Sequence, residues 1–275
     1  MILKFSAIIN VYAGDDANNF SASIESIIHQ TLLPDELVLV IDGPISDTLE
    51  AVIDKWGYLG PDFFRIIRLK ENQGLGNARR IALANARFDY VAVMDADDIC
   101  MPDRFEYQIK IAKEHPEYSV IGGLIEEYDF KMQNYLGMRK VPETSDEIYR
   151  YLRSRCPFNQ MTVLFKKKDV EQAGGYLDWH FNEDYFLWIR MALNGCTFYN
   201  IQKVLCKVRA GNGMYKRRGG LKYFVSEAKL QSYMHEKGLI NFGHLILNVG
   251  LRFILQVLLP NQLRGFFYRC FARVK

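Results

Sequence analysis

The chain has 275 residues, 49% hydrophobic and 24% charged, an ordinary globular composition that suits one large domain or one domain with an appendage. Its five cysteines are scattered without a Cys-x-x-Cys pair, so the sequence indicates neither a disulfide framework nor a zinc site. The first residues lead into a strand-like run without a basic segment or a small-residue cleavage site, and we therefore expect a cytoplasmic protein.

The charge is distributed unevenly along the chain, although its net value is only +3. Residues 203–275 contain 14 of the 35 basic side chains but only 2 of the 32 acidic ones, which gives this segment a net charge of +12 and leaves −9 for residues 1–202. A basic tail on an acidic body predicts an anionic partner surface, either a membrane or a nucleic acid.

Short apolar runs alternate with helical patterns through the first half of the chain. The predicted strands are residues 5–12, 37–41, 64–69 and 90–94, with further candidates at 120–121 and 161–165. The predicted helices are residues 23–30, 49–56, 77–87, 102–114 and 184–193. This alternation predicts an α/β fold with a mostly parallel sheet flanked by helices. No linker divides residues 1–210, and residues 207–220 are predicted to form a glycine-rich, basic loop before the tail.

The strand at 90–94 ends in three carboxylates within four residues, those of Asp95, Asp97 and Asp98. They would lie at the carboxyl edge of the sheet, where open α/β sheets bind their ligands. Carboxylates this close repel one another unless a cation lies between them, and a hard divalent cation would also bind phosphate oxygens. The run therefore predicts a metal–diphosphate site, with a solvated acidic turn as the alternative.

A glycine-rich segment that contains Gly74 and Gly76 follows the third strand and opens a helix. Glycines let the backbone approach a ligand, the helix start offers N–H groups to an anion, and Arg79 would add a fixed charge for phosphate. The segment differs from the dinucleotide fingerprint because Arg79 stands where the third glycine would be. Asp42 closes the second strand and could accept hydrogen bonds from a base or ribose, or simply form an Asp-Gly turn.

A later helix begins at Asn182-Glu183-Asp184. Acidic residues are common at helix starts, but one of these carboxylates could also serve as a general base for a hydroxyl group. Trp188, one turn further on, could form a hydrophobic wall of the site or pack in the core. The sequence contains neither a Gly-x-Ser-x-Gly nucleophile elbow nor a P-loop, which argues against an α/β-hydrolase and a P-loop enzyme.

The tail contains an amphipathic helix between residues 239 and 259. Its polar side chains recur every four residues and form one stripe on an otherwise apolar helix: His244, Asn248, Arg252 and Gln256. A membrane span needs about 20 mostly apolar residues without such a stripe, whereas a helix that lies in the membrane interface has this pattern. Arg264, Arg269, Arg273 and Lys275 follow among aromatic residues, so we expect contact with an anionic membrane; the alternative is packing against the protein body.

Six short motifs, in this order and spacing, resemble those of the inverting family 2 glycosyltransferases of GT-A fold. They are Asn10-Val11-Tyr12, Ser23-Ile24-x-Ser26-Ile27-x-x-Gln30, Asp42-Gly43, Asn72-x-Gly74-Leu75-Gly76-x-Ala78-Arg79, Asp95-Ala96-Asp97-Asp98 and Glu183-Asp184-x-x-Leu187-Trp188-x-Arg190. The resemblance covers about residues 4–210 and is greatest to bacterial exopolysaccharide, capsule and O-antigen enzymes of the amylovoran-biosynthesis type. It implies a GT-A catalytic domain over residues 1–210 and a helical, basic, membrane-associating extension over residues 211–275.

The resemblance also implies roles for individual residues. Asn10, Val11, Tyr12 and Asp42 would surround uracil, while Gly74, Arg79, Asp95 and Ala96 would contact the nucleotide. Asp97 would hold Mn²⁺ or Mg²⁺ on the diphosphate, Asp184 would be the catalytic base, and Glu183 and Trp188 would border the sugar. Some relatives carry a metal-binding His after the last core strand, where this chain has Arg209. A water molecule or the diphosphate would then take that metal position, or Arg209 would bind phosphate directly.

By this resemblance the protein would transfer a hexose from a UDP-sugar, with inversion, to a polyprenyl-diphosphate-linked glycan. The reaction would take place at the inner face of the plasma membrane, and no nucleic acid would be involved. Two alternatives remain open on the sequence. One is a sugar nucleotidyltransferase, although the segment after the first strand is acidic where such an enzyme would have a basic phosphate loop. The other is a non-catalytic sugar-nucleotide-binding partner of a membrane complex.

Overall fold

The first hundred residues of the computed structural model alternate strand and helix, as the sequence predicts. The structure describes residues 3–179, 181–210 and 219–259. The elements of this first part are β1 (Phe5–Val11), α1 (Ala17–Ile28), β2 (Glu36–Ile41), α2 (Asp47–Trp56), β3 (Phe64–Arg68), α3 (Leu75–Asn85), β4 (Tyr90–Asp95) and β5 (Ile99–Cys100). The predicted strands are confirmed to within a residue or two at their ends.

The remaining chain mixes helices with strands that pair in both parallel and antiparallel directions. Its elements are α4 (Arg104–Glu114), β6 (Tyr118–Tyr128), β7 (Tyr135–Arg139), α5 (Ser145–Leu152), β8 (Leu164–Lys166), α6 (Lys167–Gln172), α7 (Glu183–Leu193), β9 (Thr197–Arg209), α8 (Leu221–Glu236) and α9 (Phe242–Phe253). Short 3₁₀ turns lie at Gly57–Leu59 and Gln160–Thr162, and a π-helical turn, Ile254–Leu258, extends α9. Residues 211–218, most of the predicted basic loop, lie outside the described part of the chain.

Two predicted elements differ from the structure. The first helix begins at Ala17 rather than Ser23, because the Asp16 side chain accepts the backbone N–H groups of Asn18 and Asn19, both at 3.0 Å, and caps it there. Its first turns are mostly polar, so the apolar pattern does not reveal them. The strand predicted at 161–165 is confined to Leu164–Lys166, and the residues before it form a 3₁₀ turn.

The strands of the described residues form one nine-stranded sheet, in the order β3-β2-β1-β4-β8-β6-β9-β5, with β7 paired to β6. Strands β1 to β4 are mutually parallel, and β8 pairs antiparallel with β4. All six side chains of β2 are buried, as expected for a strand covered by helices on both faces. In the parallel register Asn10 lies opposite Asp95, and Val11 lies opposite Ile41. The ends of β1, β2 and β4 therefore meet at one edge of the sheet.

Helices α8 and α9 with the π-helical turn form an antiparallel unit, here called the C-terminal hairpin (residues 221–258). Its polar side chains face inward: Arg252 forms an ion pair with Glu227, and Asn248 donates to Gln231 at 2.8 Å and to the Arg153 carbonyl at 2.9 Å. Asn248 and Gln256 are buried. Three members of the polar stripe predicted from the sequence, Asn248, Arg252 and Gln256, thus pack against the protein, while the first, His244, is exposed.

The opposite side of the C-terminal hairpin is apolar and exposed. This outer apolar face consists of Phe242, Ile246, Leu247, Leu251, Phe253, Ile254 and Leu258, each at least 40% exposed. No helix within residues 3–179, 181–210 and 219–259 has the length and apolar character needed to cross a bilayer.

Candidate active site

The acidic residues after β4 form a tight turn with two different environments. The Asp98 N–H lies 3.4 Å from the Asp95 carbonyl, and the Asp98 side chain is only 2% exposed. Burial, together with the nearby charges of Asp97 and Asp95, raises the pKa of Asp98 well above its ordinary value. The Asp95 and Asp97 side chains are less buried. Asp98 therefore anchors the turn, while Asp95 and Asp97 are its more exposed carboxylates.

Arg209, at the end of β9, holds this turn in place. Its backbone N–H donates to the Asp98 carboxylate at 3.0 Å, and its guanidinium donates to the Asp97 carbonyl oxygen. The sequence left open whether Arg209 binds phosphate directly. In the structure these two contacts are to the acidic turn, which gives Arg209 a positioning role.

Asp42 shapes the glycine-rich segment at the end of β2. Its two carboxylate oxygens accept the N–H groups of Gln73 at 2.7 Å and Gly74 at 3.0 Å, and its side chain is 4% exposed. The next residue, Gly43, has φ +88°, and a Cβ there would lie 2.6 Å from the Asn72 nitrogen. The Asp42–Gly43 turn is thus built around close contact with the glycine-rich segment. The expected contact of Asp42 with uracil stays a prediction.

Arg79 joins motifs that are far apart in the sequence. It lies on the second turn of α3 and is 4% exposed, and its guanidinium contacts Asp95 at 2.7 Å and Glu183 at 3.5 Å. In the amide orientation that satisfies both of its neighbours, Asn10 accepts the Arg79 backbone N–H at 3.1 Å. Burial disfavours the charge of Arg79, but the surrounding anions outweigh it and raise its pKa.

The start of α7 lies across the edge of the sheet from the acidic turn. A Cβ on Gly76 would meet the Leu177 carbonyl at 3.3 Å and the Glu183 Cβ at 3.5 Å, so α3 approaches this loop closely. Burial and the neighbouring Asp184 charge raise the pKa of Glu183, against the opposing effect of Arg79. Asp184 accepts the Tyr185 N–H at 2.7 Å through its Oδ1. This contact orients the Asp184 carboxylate on the first turn of α7.

The structure adds Asp15 to the site, a residue that the sequence analysis noted only as part of an acidic segment. Its carboxylate accepts the Tyr12 N–H at 3.0 Å. Burial is the largest influence on Asp15, and with Asp97 and Asp95 nearby it raises the pKa to about 6. The signal in the sequence was its position four residues after β1, at the ligand-binding edge of the sheet.

The other predicted site residues differ in what they can present to a ligand. The Tyr12 ring is 46% exposed and lies over Gly14, where a Cβ would come within 2.5 Å of it. Val11 and Ala96 are buried, so only their backbone is suited to contact a ligand. Trp188 is fully buried against Phe158, with ring centroids 5.1 Å apart. The structure therefore corrects the wall predicted at Trp188, whose ring packs in the core.

The site has the donor chemistry for a hard divalent cation. Asp95 and Asp97 offer carboxylate oxygens at the sheet edge, and Mg²⁺ or Mn²⁺ is commonly held by one or two carboxylates together with substrate phosphates. Among the described residues, no three His, Cys, Asp or Glu side chains converge as a metal cluster of their own. The two carboxylates are thus the donors that the described residues offer to such a cation.

A mixed α/β sheet in which an acidic turn, a glycine-rich segment and the start of α7 meet at the ends of its parallel strands is the arrangement of a GT-A fold. The profile of the family described as Glycosyl transferase family 2 matches residues 6–172. The chain belongs to this family, which confirms the resemblance seen in its sequence, and it is a glycosyltransferase.

Named relatives and solved structures agree with this assignment. Amylovoran biosynthesis glycosyltransferase AmsE of Erwinia amylovora is 40% identical over 82% of this chain and 84% of its own. The UDP-Gal:alpha-D-GlcNAc-diphosphoundecaprenol beta-1,3-galactosyltransferase of Escherichia coli is 34% identical over 97% and 95%. The fold is similar to that of the mannosyltransferase PcManGT from Pyrobaculum calidifontis in complex with GDP-Man and Mn²⁺. That match has a TM-score of 0.62 at 16% identity and covers 98% of this chain and 80% of the other.

Proposed function

We propose that this glycosyltransferase is metal-dependent and moves a hexose from a UDP-sugar to a polyprenyl-diphosphate-linked glycan with inversion at the anomeric carbon. The observation that carries the proposal is the double contact of Arg79 with Asp95 and Glu183. Through it, the carboxylates suited to the nucleotide diphosphate lie beside the helix that begins with the candidate base. The diphosphate of the donor and the attacking hydroxyl group of the acceptor would then lie next to each other.

On the donor side of the site, the residues mainly fix the positions of backbone segments and contribute little charge. Asp42 and Gly43 hold the glycine-rich segment at the end of β2. Asn10 fixes the backbone of Arg79, and the exposed Tyr12 ring stands over the end of β1. We assign the uridine to this edge, between Tyr12 and the glycine-rich segment. The diphosphate would lie toward Asp95 and Asp97.

A bound Mn²⁺ or Mg²⁺, held by Asp97, would supply positive charge for the leaving diphosphate. The protein keeps Asp97 in position through Arg209 and through the buried Asp98. Because this turn is already fixed before the ligand binds, little reorganisation accompanies the reaction.

On the acceptor side, Asp184 would remove the proton from the attacking hydroxyl group. Its Oδ1 is held by the Tyr185 N–H, which fixes the carboxylate at the start of α7. The adjacent Glu183 is engaged by Arg79 and is therefore a positioning residue in this proposal. The acceptor oxygen would attack from the face of the sugar opposite to UDP, and inversion follows from that geometry.

The acceptor class rests on the relatives and on the C-terminal hairpin. The Escherichia coli relative is named for a diphosphoundecaprenol acceptor, and the Erwinia amylovora relative for synthesis of an exopolysaccharide. The outer apolar face of the hairpin would lie on an anionic membrane, supported by the net charge of +12 in residues 203–275. The enzyme would then act as a peripheral membrane protein at the cytoplasmic face.

The direct test measures UDP release from a panel of UDP-hexoses with Mn²⁺ and a polyprenyl-diphosphate-linked glycan extract. Wild type should turn over one donor, Asp97→Ala should lose turnover, and Asp184→Asn should bind the donor but transfer no sugar. Release of pyrophosphate from UTP and a sugar phosphate would instead identify a nucleotidyltransferase. UDP-sugar binding without turnover under any of these conditions would identify a non-catalytic binding protein.

A further inference from the structure

An open groove runs along α8 beside the loop that leads into α7. It has a volume of about 420 Å³ and is lined mainly by Trp179, Val225, Ala228, Lys229 and Tyr233, with Glu236 at one end. Trp179 stacks on Phe186 with ring centroids 4.2 Å apart, and Phe186 contacts Tyr233 at 5.1 Å. The wall opposite α8 is therefore a fixed aromatic surface.

The groove is tied to the start of α7, where the candidate base lies. The Asn182 N–H donates to the Trp179 carbonyl at 3.1 Å, and the Asn182 side chain donates to Ser226 on α8, also at 3.1 Å. Between them, Phe181 adopts φ +76°, a left-handed conformation that is uncommon for a large side chain, and its ring contacts Tyr223 at 5.5 Å. The loop is thereby held against the N-terminal half of α8.

Exposed apolar side chains continue the groove along α8 toward the start of this helix. Val225 is 41% exposed, and Leu221, one turn earlier, is 63% exposed. The Gly220 N–H donates to the Gln256 carbonyl at 2.9 Å, which places Leu221 beside the end of the hairpin. An apolar strip therefore runs along α8 from Leu221, at the end of the hairpin, through Val225 to Trp179.

We propose that this groove is the subsite for the isoprenoid diphosphate part of the acceptor, an inference that rests on the proposed function. The apolar strip fits a polyprenyl chain that enters the groove beside Leu221, at the end of the hairpin. The charge also fits, because Lys229 lines the groove and would face the anionic diphosphate, and Lys222 adds a second exposed cation on the first turn of α8. The sugar at the other end of the diphosphate would then reach the start of α7.

Binding of farnesyl diphosphate to the full-length protein tests the proposal by titration calorimetry, with the nucleotide site saturated by UDP and Mn²⁺. Farnesyl diphosphate should bind more tightly than geranyl diphosphate, and inorganic diphosphate should bind most weakly. Val225→Asp should remove the difference in affinity between farnesyl and geranyl diphosphate. Lys229→Glu should weaken the binding of both isoprenoid diphosphates about tenfold. Leu33→Asp and Lys113→Glu, matched exposed changes elsewhere, should bind as wild type does.

Three outcomes would overturn the proposal: displacement of farnesyl diphosphate by UDP, wild-type affinity in both groove variants, or equal affinity for the two chain lengths. Loss of binding in Leu251→Asp but not in Val225→Asp would also overturn it, since the lipid would then only adsorb to the outer apolar face. UDP release is measured on the same proteins. Donor turnover without the binding pattern refutes the groove alone, whereas the binding pattern without donor turnover refutes the proposed reaction.

Discussion

The Arg79 guanidinium lies 2.7 Å from the Asp95 carboxylate and also contacts Glu183, which follows 104 residues later in the chain. One buried cation thus fixes the distance between the acidic turn and the start of α7. The Glu183 side chain is 14% exposed and the Asp95 side chain 26%, and Arg79 offsets the cost of removing these charges from water. Arg79 is the residue on which the geometry of the site depends most.

Arg79→Lys should fold but lose about tenfold to a hundredfold in kcat/KM, because an ammonium group is a point charge that does not span two carboxylates as a guanidinium does. Steady-state kinetics with UDP-sugar and acceptor measures this. Arg80→Lys is the matched control, since Arg80 is exposed and its guanidinium donates to Asn77 of its own helix. Equal kcat/KM for wild type and Arg79→Lys would show that the bridge has no role in the reaction.

Gly43→Ala should destabilise the protein by about 1–3 kcal/mol and weaken UDP binding, because φ is +88° and the new Cβ would clash with the Asn72 nitrogen. Urea unfolding and UDP titration measure the two effects. Gly57→Ala is the control, since Gly57 has an ordinary helical φ and, among the described residues, no atom lies within 4 Å of the place its methyl group would take. Equal stability of the two variants would mean that a small shift of the glycine-rich segment removes the clash at Gly43.

Without divalent cations, Asp15 should make the protein less stable as the pH rises. Its pKa is about 6 in the folded protein against 3.8 ordinarily, so between these values the folded state keeps a proton that the unfolded state has released. The stability contribution is complete below pH 4 and is lost as the pH passes through 6. Asp15→Asn should therefore be more stable than wild type at pH 8, by about 1 kcal/mol after allowance for solvent screening, and similar at pH 4.

Urea unfolding in EDTA across this pH range measures the effect. Asp16→Asn is the control for the loss of one negative charge. Asp16 caps α1, and Asn is also a good helix cap, so this variant should keep the helix intact. An identical pH dependence in Asp15→Asn and wild type would contradict the environment described for Asp15.

Leu247→Asp with Leu251→Asp should abolish binding to vesicles that contain anionic lipid, because both side chains lie on the outer apolar face and are at least 50% exposed. Vesicle co-sedimentation measures binding, and circular dichroism verifies the fold. Leu33→Asp with Tyr58→Asp, also exposed but outside the C-terminal hairpin, should bind as wild type does. Wild-type binding by the Leu247/Leu251 variant would assign membrane contact elsewhere.

The sequence predicted the parallel part of the sheet well, because buried parallel strands are short apolar runs with clear ends. It also placed Asp42, Arg79 and Asp95 at one edge. It did not reveal that the Asp42 oxygens are taken by backbone N–H groups, that Asp15 joins the acidic cluster, or that Trp188 is in the core. These outcomes depend on which neighbours approach through the tertiary fold. Periodicity likewise showed that α9 is amphipathic but not which of its two faces turns inward.

The inward polar stripe of α9 has a consequence for how this helix finds its place. Apolar contacts alone are indifferent to small rotations of a helix about its axis, but Asn248 and Arg252 each have a defined partner at one rotation only. If both were replaced by leucine, the helix would gain apolar character and lose its rotational register. The polar residues thus determine which side of α9 packs against the protein and which side stays exposed.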